Sequence, residues 1–356
     1  FDVVNFAAGE PDFDTPQYIR KAAIDAIDKG LTRYTPATGT PELKEAVCRK
    51  FKVDNGLDYK PGQVVVSCGA KHSLYNIFQA ICDKGDEVLL PAPYWLSYPE
   101  MVKLSESVPV IVEPDKKTSK VTVRNLEEHV TKKTKALVIN SPSNPAGIVY
   151  TGEELQALAD FAVKHNIFVI SDEIYEKLIY DGLKHVSIAS FNKKIYDLTF
   201  VVNGVSKSYA MTGWRIGYMA GREDIVKVIA AFQSHSTSNP ASISQAAALA
   251  ALTVKDPAPA EMVKEFEKRR NVLIKGISEI KELTCAKPQG AFYCFVDVTK
   301  TGMTPAIFSK KLLDETYIAT IPGEPFGSAH HVRFSFATGI ADIEKGLERL
   351  AKWVKR

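Results

Sequence analysis

The sequence has no apolar run long enough to cross a membrane, no recognisable signal peptide and very little net charge. Its 356 residues include 45 lysines and arginines against 42 aspartates and glutamates, which gives a formal net charge of +3. A transmembrane helix would need about 20 consecutive apolar residues. A nearly neutral chain also offers no basic face for nucleic acid or an anionic membrane. We therefore expect a cytoplasmic protein whose partners are small molecules, with no nucleic-acid or membrane partner.

Cysteine is scarce, and its spacing fits neither a disulfide framework nor a zinc site. There are five, an odd number: Cys48, Cys68, Cys82, Cys285 and Cys294. Without paired spacing they are best interpreted as reduced thiols, most of them in the core. His330 and His331 are adjacent but lack a third ligand at metal spacing. We interpret them as a loop pair and expect no metal.

Apolar residues are plentiful, and their arrangement predicts two domains. Hydrophobic residues make up 45% of the chain, enough for a large buried interior. Strand-like runs alternate with helical patterns over 16–260, which predicts a large α/β domain with a mostly parallel sheet between helices. The pattern over 261–356 predicts a smaller α+β domain. We assign 1–15 to that small domain because 1–6 has a strand-like pattern, and we expect a native N-terminal arm before Phe1.

Two short segments carry strong local signals. Thr15 followed by Pro16 predicts a helix start, with Thr15 as the N-cap and proline at the first helical position. The segment 141–147 contains two prolines beside Asn144, directly after a strand-like run. This composition predicts a rigid turn and a candidate cis peptide bond.

Several distinctive side chains fall where predicted strands end. In parallel α/β sheets, ligands bind outside the carboxyl ends of the strands. The residues at or just beyond those ends are Gly69, Trp95, Asn144, Asp172, Tyr175 and Lys207. Their common placement predicts one ligand site at this edge of the sheet.

The turn after the strand-like segment 198–203 has the residues that pyridoxal phosphate requires. Burial would push Lys207 toward its neutral, nucleophilic amine, and the fork of Arg215 suits a phosphate. The turn 69–71 opens a helix and forms a second candidate anion site. A lysine considered alone is more often a solvated surface residue than a cofactor ligand. The residues that flank Lys207 are therefore needed to distinguish the two interpretations.

Those flanking residues resemble a known family. Ser-Lys-Ser-Tyr-Ala-Met-Thr-Gly-Trp-Arg-Ile-Gly-Tyr over 206–218 resembles the cofactor-lysine segment of class I aminotransferases, in the bacterial aspartate aminotransferase branch. The resemblance extends from Gly-Glu-Pro-Asp-Phe at 9–13 to Val-Arg-Phe-Ser at 332–335. It implies the fold type I of pyridoxal phosphate (PLP)-dependent transferases, with large and small domains as above, and a homodimer.

The resemblance also implies roles for individual residues. Lys207 would hold PLP as a Schiff base and carry the catalytic proton, and Asp172 would pair with the pyridine nitrogen. Tyr175 and Asn144 would bond the phenolic oxygen, with Asn144 also near the substrate carboxylate. Trp95 would stack on the cofactor ring beside the substrate. The alternatives are that Asp172 only caps a helix and that Trp95 is ordinary core.

Further positions match the phosphate and substrate contacts of the family. The backbone of Gly69, Ala70 and Lys71 would bind the phosphate with Arg215, and Tyr34 would reach the phosphate of the neighbouring subunit. Arg333 would clamp the substrate α-carboxylate, with Gly9 beside it; the alternative for Arg333 is a strand arginine paired with a surface acid.

One departure from the family concerns substrate choice. Animal-type members use a second arginine for the side-chain carboxylate, and we find no motif for it. Lys71 stands where the bacterial branch has a lysine for that task, although it could simply be solvated. We expect an aspartate aminotransferase. A prephenate-using relative, another PLP enzyme such as a β-lyase or decarboxylase, and a non-catalytic regulator remain as alternatives.

Overall fold

The computed structural model describes residues 2–115 and 118–355, and Phe1 and Arg356, the outer ends of the predicted small domain, lie outside them. The strands in this part of the chain are β1 (Val4–Asn5), β2 (Val64–Ser67), β3 (Glu87–Pro91), β4 (Val108–Val112), β5 (Thr134–Asn140), β6 (Phe168–Asp172), β7 (Thr199–Gly204), β8 (Gly217–Ala220), β9 (Thr284–Cys285), β10 (Tyr293–Asp297), β11 (Ile318–Ala319), β12 (Ile321–Pro322) and β13 (His331–Ser335).

The α-helices in the same described residues are α1 (Gln17–Asp28), α2 (Pro41–Asn55), α3 (Ala70–Ile81), α4 (Ser97–Leu104), α5 (Val123–Glu127), α6 (Gly152–His165), α7 (Lys193–Leu198), α8 (Glu223–Ser236), α9 (Ser242–Thr253), α10 (Ala258–Ser278), α11 (Pro305–Thr316) and α12 (Ile340–Val354). Among these helices, none is both long and apolar enough to pass through a bilayer.

A seven-stranded sheet in the order β2-β8-β7-β6-β5-β3-β4 forms the larger layer. Every pairing from β7 to β4 is parallel, whereas β8 runs antiparallel to both of its neighbours. Six strands therefore point the same way, and their carboxyl ends meet at one edge. The sequence pattern predicts the parallel strands but does not predict β8.

The central strands are buried on both faces, as a sheet between two helical layers requires. All residues of β2, β7 and β8 are buried. Glycine is needed where β8 passes the start of α3, since a Cβ on Gly217 would lie 2.1 Å from the amide nitrogen of Ala70. This close approach fixes the first turn of α3 against the sheet.

The remaining strands form an antiparallel sheet, β12-β13-β10-β9, and a parallel pair of β1 with β11. Val4 pairs with Ile318 in that register, which confirms that the early strand joins the C-terminal region. The largest apolar cluster packs these strands with α10, α11 and α12 and includes Tyr175 and Leu178, which follow β6. The bounds 16–260 and 261–356 themselves stay a prediction.

Three local expectations can be compared with the structure. The expected N-cap is wrong: Pro16 holds that position, because the Thr15 hydroxyl bonds instead with the Ala210 carbonyl (2.6 Å) and the Trp214 indole (2.9 Å). Within 141–147, the peptide bonds before Pro142 and Pro145 are both cis, as the prolines suggested. His331 is not in a loop but begins β13, with its ring stacked on Phe295.

Candidate active site

A cleft of about 410 Å³ opens at the carboxyl edge of the large sheet. Most of the predicted site residues line it, and they come from distant parts of the chain: Gly9, Ala70, Lys71, Trp95, Asn144, Asp172, Tyr175, Lys207, Arg215 and Arg333. Since β13 supplies Arg333 and most of the others lie at or just beyond the ends of strands of the large sheet, the cleft lies between the two sheets.

Lys207 lies in the turn after β7, and its amine projects into the cleft. The Nζ donates a hydrogen bond to the Gly9 carbonyl at 2.5 Å. The pKa of Lys207 is lowered to about 8, chiefly by burial; the negative charges of Glu10 and Asp172 oppose this, and the guanidinium groups of Arg215 and Arg333 add to it. A substantial fraction of this amine is therefore neutral and nucleophilic at slightly alkaline pH.

Asp172 is the last residue of β6 and is 4% exposed. Its carboxylate accepts hydrogen bonds from the Tyr98 hydroxyl at 2.6 Å and from the Ile174 amide at 3.2 Å. Burial raises the pKa of Asp172 to about 6, although both donors act to lower it. An anion held in this way would be further stabilised by a cationic ring nitrogen placed in the cleft.

A row of polar contacts crosses the opposite wall of the cleft. The hydroxyls of Tyr175 and Tyr293 are 3.0 Å apart, and the Arg333 guanidinium lies 4.4 Å from the Tyr293 ring centroid. Arg333 donates to Asn144 Oδ1 at 3.1 Å and to the Ala7 carbonyl at 2.9 Å. Its buried Nε has no hydrogen-bond partner among the described residues. Arg333 therefore keeps a donor for an incoming carboxylate.

The turn before α3 forms a small cationic recess. Gly69 has φ +91°, and a Cβ there would lie 2.6 Å from Nη2 of Arg215. The guanidinium is held on its other side by the Thr212 carbonyl at 2.8 Å. The first amides of any helix lack intrahelical acceptors, so Ala70 and Lys71 add donors to this recess. The arrangement suits a phosphate group.

Lys71 and Trp95 lie together at the rim. The Lys71 amine is 5.0 Å from the Trp95 ring centroid, and Lys71 is exposed in the isolated chain. The half-buried indole lines the cleft and also packs against the apolar core beside α3.

Tyr34 is not part of this cleft. It is 91% exposed and lies in a surface recess with Thr237 and Ser242. Within a single chain it reaches none of the cleft residues, and its predicted role depends on a second subunit.

The sequence predictions miss several residues that contact the site. Tyr98 stands one helical turn after Trp95, so the Trp-Leu-Ser-Tyr spacing is a signal for it. Tyr293 has no such signal, since only the folding of β10 brings it to Tyr175. Glu10 accepts a hydrogen bond from Thr212 at 2.6 Å and so joins the Gly9 loop to the Lys207 turn.

An α/β fold with an amine, a buried carboxylate and two arginines around one cleft is the arrangement that the family resemblance leads one to expect. The model of the family described as aminotransferase class I and II matches residues 2–350, and the chain belongs to this family. The aspartate aminotransferase of Geobacillus stearothermophilus is 48% identical over 360 residues, 99% of this chain and 92% of that protein.

Other comparisons agree. The probable aspartate/prephenate aminotransferase of Aquifex aeolicus (strain VF5) is 46% identical over 99% of this chain and 91% of that protein. The solved structure of Thermus thermophilus aspartate aminotransferase with maleate is 41% identical, with a TM-score of 0.95 over 99% of this chain and 91% of that one. The predicted family, fold class and enzyme class, a transaminase of the aspartate aminotransferase branch, are confirmed.

The low pKa of Lys207 gives a testable titration. In the chain without cofactor, we expect Lys207 to react with a reductive-methylation reagent with an apparent pKa of about 8. Arg215→Gln should raise that pKa, because one neighbouring cation is lost. Arg124→Gln, which changes an exposed surface arginine, is the control and should have no effect. Peptide-resolved mass spectrometry across a pH series measures the reaction, and an apparent pKa near 10 in the wild type would contradict the assignment.

Proposed function

We propose that this chain moves an amino group between aspartate or glutamate and a 2-oxo acid, with pyridoxal 5'-phosphate as its cofactor. The observation that carries the proposal is one cleft in which the Lys207 amine, the Asp172 carboxylate and the Arg333 guanidinium all converge. Names of relatives with 46–48% identity support the same substrates.

The residues present fit the cofactor. The recess of Gly69, Ala70 and Arg215 would take its phosphate, Asp172 its ring nitrogen, and Tyr175 with Asn144 its phenolic oxygen. Trp95 would cover one ring face. When bound, PLP supplies a carbonyl carbon that links to an amine and a ring that withdraws electrons from that link.

Lys207 would first attach the cofactor and, once displaced by substrate, carry the proton. An amine whose pKa is lowered to about 8 by burial can accept and return a proton near neutral pH. Asp172 would remain anionic to hold a proton on the ring nitrogen, and the Tyr98 hydroxyl at 2.6 Å keeps its carboxylate in place.

Two cations would select the substrate. Arg333 would bind the α-carboxylate with its fork, helped by Asn144. Lys71, at the rim beside Trp95, would meet the side-chain carboxylate. The Thermus thermophilus structure named with maleate, a dicarboxylate, supports this pairing by similarity.

Prephenate is the second candidate acceptor, because it also carries two carboxylates and the relative named probable aspartate/prephenate aminotransferase is 46% identical. A β-lyase would share Lys207, Asp172 and Arg333. Analysis of the products, an exchanged amino group or a cleaved side chain, separates these activities.

We further propose a cytoplasmic homodimer with the domain division 16–260 against 1–15 and 261–356. The five cysteines are free thiols, which supports a reducing compartment. Support for the dimer comes from the exposure of Tyr34, Lys71 and Arg215 in the isolated chain. Such exposure is expected where a neighbouring subunit completes the site.

The central test is Lys207→Ala. We expect it to abolish transamination while retaining the fold and some PLP, since the phosphate and ring contacts remain. In the wild type, borohydride reduction followed by peptide mapping should place the pyridoxyl group on Lys207. Lys21→Ala, at an exposed position, is the control and should leave both activity and labelling unchanged. Labelling of a different lysine would overturn the proposal.

Lys71→Ala tests substrate selection. A charge-assisted hydrogen bond is worth roughly 1.5–3 kcal/mol, so we expect wild type to prefer aspartate and glutamate over alanine by about 10- to 100-fold in kcat/KM. The variant should lose most of this preference and keep its activity toward alanine. The measurement is the half-reaction, followed by cofactor absorbance, with aspartate, glutamate, alanine and phenylalanine. An equal loss for all four would show that Lys71 has no role in selection.

Mixed dimers test the contribution of Tyr34 in trans. Tyr34→Ala should weaken cofactor retention and Lys207→Ala should be inactive. After the two variants are unfolded and refolded together, one site of each mixed dimer has both native residues, so activity should reappear. Failure to recover activity, with mixed dimers verified by mass spectrometry, would place Tyr34 in the site of its own chain or outside both.

A further inference from the structure

A second polar cluster lies behind the turn that follows β6, outside the cleft. We call Lys50, Asn55, Glu173, Glu176 and His185 the inner cluster. Asn55, Glu173 and Glu176 are buried, and the side chains of Lys50 and His185 are 7% and 9% exposed. The cluster joins the end of α2, the turn 172–176 and the loop before residues 188–190, and the proposed mechanism makes no use of it.

Four polar groups surround the buried Glu173 carboxylate. Oε1 accepts from the hydroxyls of Ser171 at 2.8 Å and Ser187 at 2.6 Å. His185 Nε2 lies 2.8 Å from Oε2, and Asn55 Nδ2 donates to Oε2 at 3.4 Å. A carboxylate has about four acceptor positions, and these four groups are placed to occupy them.

Glu176 has a cation of its own. Lys50 forms a direct ion pair with it and also donates to Asn55 Oδ1 at 2.7 Å, while Asn55 Nδ2 donates to Glu176 at 2.8 Å. Asp54, 3.8 Å from Lys50, pairs with Lys177 at 2.9 Å. Donor atoms of Glu173, Glu176 and His185 lie within 4.8 Å of one another, but the Lys50 ammonium already supplies positive charge there, so we assign no metal.

Glu173 is then left without a formal positive partner unless His185 is protonated. A net charge buried away from water is costly, so the surroundings favour the imidazolium form. Burial lowers the pKa of His185 and Lys50 acts in the same direction, but Glu173 and Glu176 outweigh them, and the pKa is raised. His185 Nδ1 is buried without a partner among the described residues, which opposes protonation to a smaller degree.

We propose that the inner cluster positions Asp172 and Tyr175, and that His185 is an imidazolium whose charge shields Asp172 from Glu173. The backbone links the two sides directly, since Glu173 follows Asp172 and Glu176 follows Tyr175. The side chains of Glu173 and Glu176 belong to the inner cluster, whereas those of Asp172 and Tyr175 line the cleft. That Asp172 then serves the cofactor rests on the function proposed above, whereas the coupling between the charges does not.

The charges that face Asp172 define the expected effect. Tyr98 and Lys207 favour its anionic form and Glu173 disfavours it. His185→Gln retains a hydrogen-bond donor for Glu173 but removes the positive charge. The Glu173 charge is then uncompensated, so the Asp172 anion becomes less favourable and its pKa rises. Glu173→Gln together with His185→Gln removes both charges and should reverse the rise.

The first measurement is made on the wild-type full-length chain. Nitrogen chemical shifts of His185 across a pH series should show both ring nitrogens protonated at pH 7. A neutral tautomer at pH 6 would overturn the proposal. This experiment needs no variant, so it decides the question even if every substitution prevents folding, and it is independent of whether PLP is the cofactor.

The second measurement follows the Asp172 side-chain carbon by NMR in the full-length chain without cofactor. In His185→Gln we expect the titration midpoint of Asp172 to rise by about one pH unit. The double variant should return it to the wild-type value, which a purely structural effect would not do. His165→Gln breaks a similar surface contact to Glu127 and is the matched control, with no shift expected. An unchanged midpoint in folded His185→Gln, or no reversal in the double variant, would refute the coupling.

Discussion

The site depends on six strands that run the same way and end at one edge of a buried sheet. Five of these strand ends, all except that of β4, place side chains where the backbone ladder stops and the cleft opens. Asp172 ends β6, the Lys207 turn follows β7, and the Gly69 turn follows β2. β8 runs the other way and passes so close to Ala70 that only glycine fits at 217. The positions of the cationic recess and of the lysine are therefore set by the same packing.

Desolvation gives these side chains their reactivity. Lys207 and Asp172 face one cleft, and burial moves their pKa values toward each other, to about 8 and about 6. In water a lysine and an aspartate would be fully charged over that range. In this cleft, small changes in the surroundings can change the protonation state of either side chain. Arg215 and Arg333 contribute to this, because cations near an amine favour its neutral form.

Local pattern was enough to predict most of the fold and the shared edge of the strand-end residues, whereas the family resemblance was needed for positions such as Arg333 and Gly9; the exceptions share a cause. The alternation of strands and helices expected over 16–260 is present because apolar periods and helix caps are local signals. Thr15 fails as an N-cap because its hydroxyl has better partners 195 and 199 residues away. Tyr293 reaches Tyr175 only through the folding of β10. No local sequence signal marks such long-range contacts.

The turn 172–176 shows why a site cannot be described by its lining residues alone. One short segment faces two environments: Asp172 and Tyr175 line the cleft, whereas Glu173 and Glu176 belong to a buried cluster. A charge on one side is felt on the other because little water lies between to screen it. The segment is also held by the Glu173 amide, which donates to the Val202 carbonyl of β7 at 2.8 Å. The strand that precedes Lys207 and the turn that carries Asp172 are thereby fixed to each other, so the separation of the amine and the carboxylate is built into the sheet.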